Sequence, residues 1–259
     1  MKLISILLIF VITSTLSCFN KDEPGRYDTF DKNIQIGDVP IVETRIHFKA
    51  GELSVIPTTE NYLLKGTFSY YREGERPEIN YEENNNKGYL EILSHDELWD
   101  RNFDDEDKIE WHIALNKDIA NDLSLKAGAG EVDIDLQDCN IRRFDFEMGA
   151  GEAHINLRNT SVADFSFDGG AGEVKIDLSG EWKNDLDAKI DGGVGEITLI
   201  LPSDVGIEME ISGLLGERNV PGFFKEGSHY TNRLLGKTKN NLYLDINGGI
   251  GTVNVITEY

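Results

Sequence analysis

From about residue 41 onward, apolar and polar residues alternate in short runs punctuated by glycine. In Gly128-Ala129-Gly130-Glu131-Val132-Asp133-Ile134-Asp135-Leu136, an extended chain puts Val132, Ile134 and Leu136 on one side and Asp133 and Asp135 on the other. Period two marks a strand with one face buried and one wet. The run recurs from Gly149 to Leu157, from Gly170 to Leu178 and from Gly193 to Leu201, with starts 21, 21 and 23 residues apart. A looser copy, Gly249-Ile250-Gly251-Thr252-Val253-Asn254-Val255, comes near the end, and an incomplete one, Lys49-Ala50-Gly51-Glu52-Leu53-Ser54-Val55, near the start. Between copies the alternation continues, through Ile141, Phe144 and Phe146, then Val162, Phe165 and Phe167. Each repeat therefore predicts two short strands with a Gly-x-Gly bend between them, where glycine permits positive φ or close backbone approach.

Repeats of this period predict an all-β fold, a β-solenoid of rungs of about 21 residues, each burying its apolar face against its neighbours. A β-sandwich of meandering hairpins would satisfy the same alternation. Phe165 aligned over Phe144, and Phe167 over Phe146, favours stacked rungs. Further strands are expected at Ile46 to Phe48, Leu53 to Ile56, Tyr62 to Tyr71, Tyr89 to Leu93, Trp111 to Leu115 and Leu242 to Ile246. From Gly206 to Lys239 the repeat lapses into glycine-rich chain. Helix signals are scarce.

The first residues follow a different pattern. Lys2 precedes an apolar run from Leu3 to Ile12, and Thr15-Leu16-Ser17-Cys18 follows. A charged start, an apolar stretch too short to span a bilayer and small residues at its end predict a signal peptide over residues 1–17. Thr15-Leu16-Ser17-Cys18 resembles a lipobox, with Thr15 where leucine is usual, so Cys18 is expected to carry lipid and anchor the chain to a membrane. Phe19 rather than aspartate follows it, which favours the outer membrane if the host has one. Residues 18–40 read as lipidated cysteine and flexible tether, and 41–259 as the β-repeat domain. With Cys18 lipidated, Cys139 has no disulfide partner and reads as a small buried residue.

Charge narrows the partners. The 259 residues hold 25 Lys+Arg against 47 Asp+Glu, a net charge of −22, which argues against nucleic acid and against electrostatic docking on anionic lipid. Cations, an envelope protein or a glycan remain.

Several segments together resemble a known family. Lys49-Ala50-Gly51-Glu52-Leu53, Leu64-Lys65-Gly66-Thr67-Phe68, Pro77-Glu78-Ile79-Asn80-Tyr81, the Gly-Ala-Gly-Glu repeats, Gly222-Phe223 with Tyr230, and Gly248-Gly249-Ile250-Gly251 are similar to bacterial toast-rack domains. They also resemble the C-terminal domain of cell-wall-active antibiotic response proteins. The resemblance covers about residues 41–259 and implies an all-β repeat domain displayed at the bacterial envelope. It carries no catalytic residues, ligand or cofactor.

Stacking would align Glu131, Glu152, Glu173 and Glu196 in a column. Such a ladder could bridge to calcium, as a weakly held cation, or to a ligand's hydroxyl or ammonium groups. Alternatively, each glutamate accepts N–H bonds from its own glycine turn. The motif lacks the closely spaced aspartates of calcium-binding nonapeptide repeats, which favours the second. Asp100, Asp104, Asp105, Glu106 and Asp107 read as a solvated acidic loop. His47, His95, His112, His154 and His229 are scattered without metal-ligand spacing, and no Gly-x-Ser-x-Gly elbow occurs. No metal site is predicted. Every candidate carboxylate pair repeats from rung to rung, whereas a catalytic pair should break the pattern. Where the repeat lapses, Phe223, Phe224, His229, Tyr230 and Arg233 form either a binding loop or a cap over the open end of the stack. The expectation is a lipid-anchored, non-catalytic envelope module, adhesin-like or structural. An envelope-stress signalling accessory is the first alternative, and a polysaccharide-acting enzyme the second.

Overall fold

Each Gly-x-Gly bends a strand instead of ending one. In a computed structural model, which describes residues 28–71, 75–94 and 109–258, β8 runs unbroken from Ile141 to Asn156. It buries Phe144, Phe146 and Met148 before the glycines, and Ala153 and Ile155 after them. From Phe144 on, buried positions are even-numbered before Gly149-Ala150-Gly151 and odd-numbered after it. The corner thus shifts the alternation by one residue, and both halves of the strand turn their apolar side toward one core. The expected pair of short strands is one long, folded strand.

The same folded strand is stacked five times in parallel register, as β2 (Ile41–Thr58), β7 (Ala120–Asp135), β8, β9 (Asp164–Asp177) and β10 (Leu186–Pro202). Two arms result, one before the glycine corner and one after, with the core between them. This is the expected β-solenoid, not a sandwich of hairpins. Phe144 and Phe165 lie 5.6 Å apart between ring centroids, and Phe146 and Phe167 5.4 Å apart. Each fully buried ring contributes about 2 kcal/mol of apolar burial.

Glycine is dictated at the corner by the rung beneath. Gly151 has φ 124°, and a Cβ there would overlap the carbonyl oxygen of Gly130. Gly130 stands in the same relation to Gly51, and Gly172 to Gly151.

Two expectations are corrected here. Residues 28–35, read as tether, form β1 (Asp28–Gln35). Phe30 and Ile34 pack against the core, and β1 pairs antiparallel with β3 (Tyr62–Tyr70). Strand β3 in turn borders β6 (Glu110–Asn116), which extends the second arm beside β2. On the first arm a hairpin, β4 (Glu78–Asn84) and β5 (Lys87–Leu93), borders β2 around an Asn85-Asn86 turn with φ 50° and 64°.

The second correction concerns 206–239: over residues 206–219 the repeat does not lapse. Strands β11 (Gly206–Ser212) and β12 (Leu215–Asn219) make a further rung. It was hidden because Leu214 stands where the first glycine of the motif should be. The last segment, β15 (Asn241–Asn247) and β16 (Ile250–Glu258), inserts between this rung and β10. The chain therefore overshoots by one rung and returns. A short hairpin, β13 (Phe224–Glu226) and β14 (His229–Thr231), then pairs on β11 and covers the first arm's edge.

Cys139 is buried, and burial, with Asp135 nearby, pushes its thiol up to about 12. Residues 1–17, Cys18, His95 and the acidic stretch Asp100 to Asp107 lie outside the described residues.

Gly151→Ala should lower stability by about 2 kcal/mol or more, because a methyl must displace the backbone of the rung below. Gly222→Ala, also at positive φ (86°) but with nothing within 4 Å, should cost clearly less. Equal losses in denaturant titrations would show that close approach is not what requires glycine.

Candidate functional site

The outward positions form columns that run along the stack, and most are balanced between neighbouring rungs. Asp133 of β7 meets His154 of β8 at 3.0 Å (Nδ1 to Oδ1). Asn156 Nδ2 donates to Asp135 at 3.0 Å, Lys126 pairs with Glu147 at 2.8 Å, and Ser166 donates to Asp145 at 2.7 Å. Arg142 grips Asp122 through two bonds of 3.1 and 2.8 Å. At these steps polarity changes from one rung to the next, so the neighbours attract, whereas Glu147, Asp168 and Asp191 follow one another in register as like charges.

The glutamate column is the longest row of one charge. Glu52, Glu131, Glu152, Glu173 and Glu196 are in direct register, and Glu110 extends the row beside Glu52. Thr252 interrupts it on β16, and Glu217 resumes it on β12. Sequence reasoning found four of these seven glutamates. Glu196 accepts bonds from Asn254 Nδ2 at 2.8 Å and Thr198 Oγ1 at 3.2 Å. Glu131, Glu152 and Glu173 are exposed and, among the described residues, make no hydrogen bond, so their glycine turns do not hold them. Like charges about 4.8 Å apart repel by about 1 kcal/mol in water, a cost that exposure keeps small. No group of three or more His, Cys, Asp or Glu side chains among the described residues is arranged to hold a metal ion.

The residues of the expected binding loop divide. Tyr230 is buried, with Lys225 Nζ 5.3 Å from its ring centroid. Phe223 packs against the core. These two act as a cap. Phe224 is exposed, with the Arg233 guanidinium 5.8 Å from its ring centroid. His229 joins something else: it reaches within 4.0 Å of both Glu208 and Glu210 on the outer face of β11.

That face holds a shallow depression of about 480 Å³ across the first arm. Tyr243 stands in it, in register between Asp187 of β10 and Glu208 of β11. Asp245, Lys189 and His229 complete its rim. An aromatic ring with a polar tip among carboxylates offers an apolar platform and hydrogen-bond acceptors together. Tyr243 went unnoticed in the sequence because it occupies an ordinary outward strand position. Only the inserted order of β15 places it between two acidic neighbours.

Residues 23–166 and 143–200 match the family described as the N-terminal domain of toast_rack, DUF2154. The chain belongs to this family. Among solved structures, a candidate cell adhesion protein from Clostridium sporogenes is 29% identical, with a TM-score of 0.69, over 90% of this chain and 100% of that one. A candidate adhesin from Bacteroides fragilis is 13% identical, with a TM-score of 0.31, over 89% of this chain and 97% of that one. The second is too distant to inform function. No curated protein matches the chain. The toast-rack resemblance read from the glycine–glutamate rhythm is thus borne out.

If the glutamates are held by no bond, Glu152→Gln should leave the thermal unfolding midpoint unchanged or raise it. A clear fall would mean that the carboxylate has a structural partner.

Proposed function

We propose that this protein is a lipid-anchored module of the bacterial envelope that binds a hydroxyl-rich ligand such as a glycan, and that it works by binding rather than by catalysis. The observation that carries this is the depression around Tyr243. A ring flanked in register by Asp187 and Glu208 can stack on the apolar face of a sugar while the carboxylates accept its hydroxyl protons. Likeness to the Clostridium sporogenes protein supports an adhesion-type role. The rung-to-rung repetition of the carboxylates favours display over chemistry, since a catalytic pair requires two different environments. The lipobox-like Thr15-Leu16-Ser17-Cys18 supports an anchor at the membrane surface. With the described residues built as one stack, the lipid would hold a rigid rod facing outward.

Two measurements on the full chain in cells test the reading. An azide-tagged palmitate should label the wild type and fail to label Cys18→Ala. On a glycan array, the labelled protein should bind at least one glycan, and Tyr243→Ala should weaken that binding about tenfold. Tyr89→Ala, an exposed tyrosine at the opposite end, should leave it unchanged. Labelling that survives in Cys18→Ala would remove the anchor. Glycan binding indifferent to Tyr243, or absent altogether, would remove the ligand class.

A further inference from the structure

The outer edge of the glycine corner carries a second, chemically different row. The middle residues of the Gly-x-Gly bends are in register as Ala50, Ala129, Ala150, Ala171, Val194, Ile250 and Leu215. The row begins as alanine and ends in three large apolar side chains on successive rungs. Val194 is 55% exposed, Ile250 54% and Leu215 72%. Single exposed apolar residues need no explanation, whereas three adjoining ones on a rigid backbone make a patch. The corner geometry does not demand it, because alanine serves at the same position in the earlier rungs.

Carboxylates flank the patch, mainly on its second-arm side. Glu196 and Glu217 line the second-arm side with Thr252 between them, and Glu173 extends that row beside Ala171; on the first-arm side Asp191 flanks Val194, whereas Asn247 and Ser212 flank Ile250 and Leu215. Few cations offset them: Lys189 pairs with Asp191 at 2.6 Å, and Arg218 turns back to donate to the Leu214 carbonyl at 3.1 Å. A second copy of the chain would bring the same acidic flanks against these, on a molecule of net charge −22. An anionic membrane would be repelled for the same reason. The complement to an apolar ridge bordered by an acidic row is an apolar stripe bordered by a basic one.

From this we infer that the ridge Val194–Ile250–Leu215 docks a cationic amphipathic helix of a partner protein. Spacing agrees with charge. Side chains on the ridge recur about every 4.8 Å, the distance between strands, and a helix laid along it presents its stripe about every 5.4 Å. Over the two steps spanned by the large residues the mismatch is about 1 Å, within side-chain adjustment. The alanines beyond let the helix lie close, and its lysines or arginines reach the flanking carboxylates. This rests on the protein being a binding module, but the surface is separate from the Tyr243 depression. Loss of one leaves the other standing.

The test is hydrogen–deuterium exchange on the full chain held in zwitterionic nanodiscs, with a leucine–lysine peptide patterned as an amphipathic helix of about five turns. Because exchange is read by segment, peptide that settles on lipid does not confuse the result. Residues 193–196, 249–252 and 214–217 should gain protection. The Val194→Glu/Leu215→Glu variant, changed only at exposed positions, should keep the wild-type circular dichroism and need about tenfold or more peptide for the same protection. A leucine–glutamate peptide of the same pattern should give none. The inference is overturned if the lysine peptide protects nothing at the ridge, or if the glutamate peptide protects equally. It is also overturned if the ridge becomes protected without peptide as protein concentration rises, which would assign it to a second copy.

Discussion

The fold depends on how closely one rung's backbone passes the next at the corner. From Gly51 through Gly130, Gly151, Gly172, Gly195 and Gly251 to Gly216, each glycine occupies space that a Cβ would need to share with the carbonyl of its neighbour. That contact fixes three things together. It holds the strand bent, it shifts the alternation so both arms face one core, and it locks the register of every column outside. A slip by one residue between rungs would bring a side-chain-bearing residue onto the carbonyl and turn the apolar rows outward. The aromatic stacking of Phe144, Phe165, Phe146 and Phe167 is a consequence of that register, not its cause.

Once the register is fixed, surface chemistry becomes a matter of columns. Most outward columns alternate, as Asp133 to His154 or Lys126 to Glu147, so adjacent rungs attract. Two rows stand out as unmixed over most of the stack. The glutamate row keeps one charge from Glu110 to Glu217 with a single break at Thr252, and the corner row grows from alanine to leucine. Long rows of one character are where recognition is best sought. The Tyr243 depression arises differently, from the overshoot that places β15 between two earlier-built strands.

Much of this was legible in the sequence. Period-two alternation with a 21-residue repeat gave the all-β class, the stacking and the glutamate column, because identical spacing on identical rungs leaves little freedom. The tether was read too long, since Phe30 and Ile34 are too few to announce β1 on their own. The rung β11–β12 escaped notice because its motif, Leu214-Leu215-Gly216-Glu217, keeps only the second glycine. Chain order could not reveal the insertion of β15–β16 between that rung and β10. For that reason neither the neighbours of Tyr243 nor the joining of Val194 to Leu215 through Ile250 could be read from sequence. Tyr230 could be read as part of a binding loop or of a cap, and its burial, which only packing reveals, places it in the cap.

The central claim is that the outward rows are rigid, in register and ordered with the last segment inserted. A pulsed electron paramagnetic resonance distance tests it most directly, between nitroxides on Glu131→Cys and Glu217→Cys with Cys18→Ser and Cys139→Ser. Five rung steps of about 4.8 Å place the two backbones about 24 Å apart, and a single narrow distribution near that value is predicted. A peak one rung shorter would mean that β16 does not intervene, and a broad distribution would mean that the rows are not a fixed array at all.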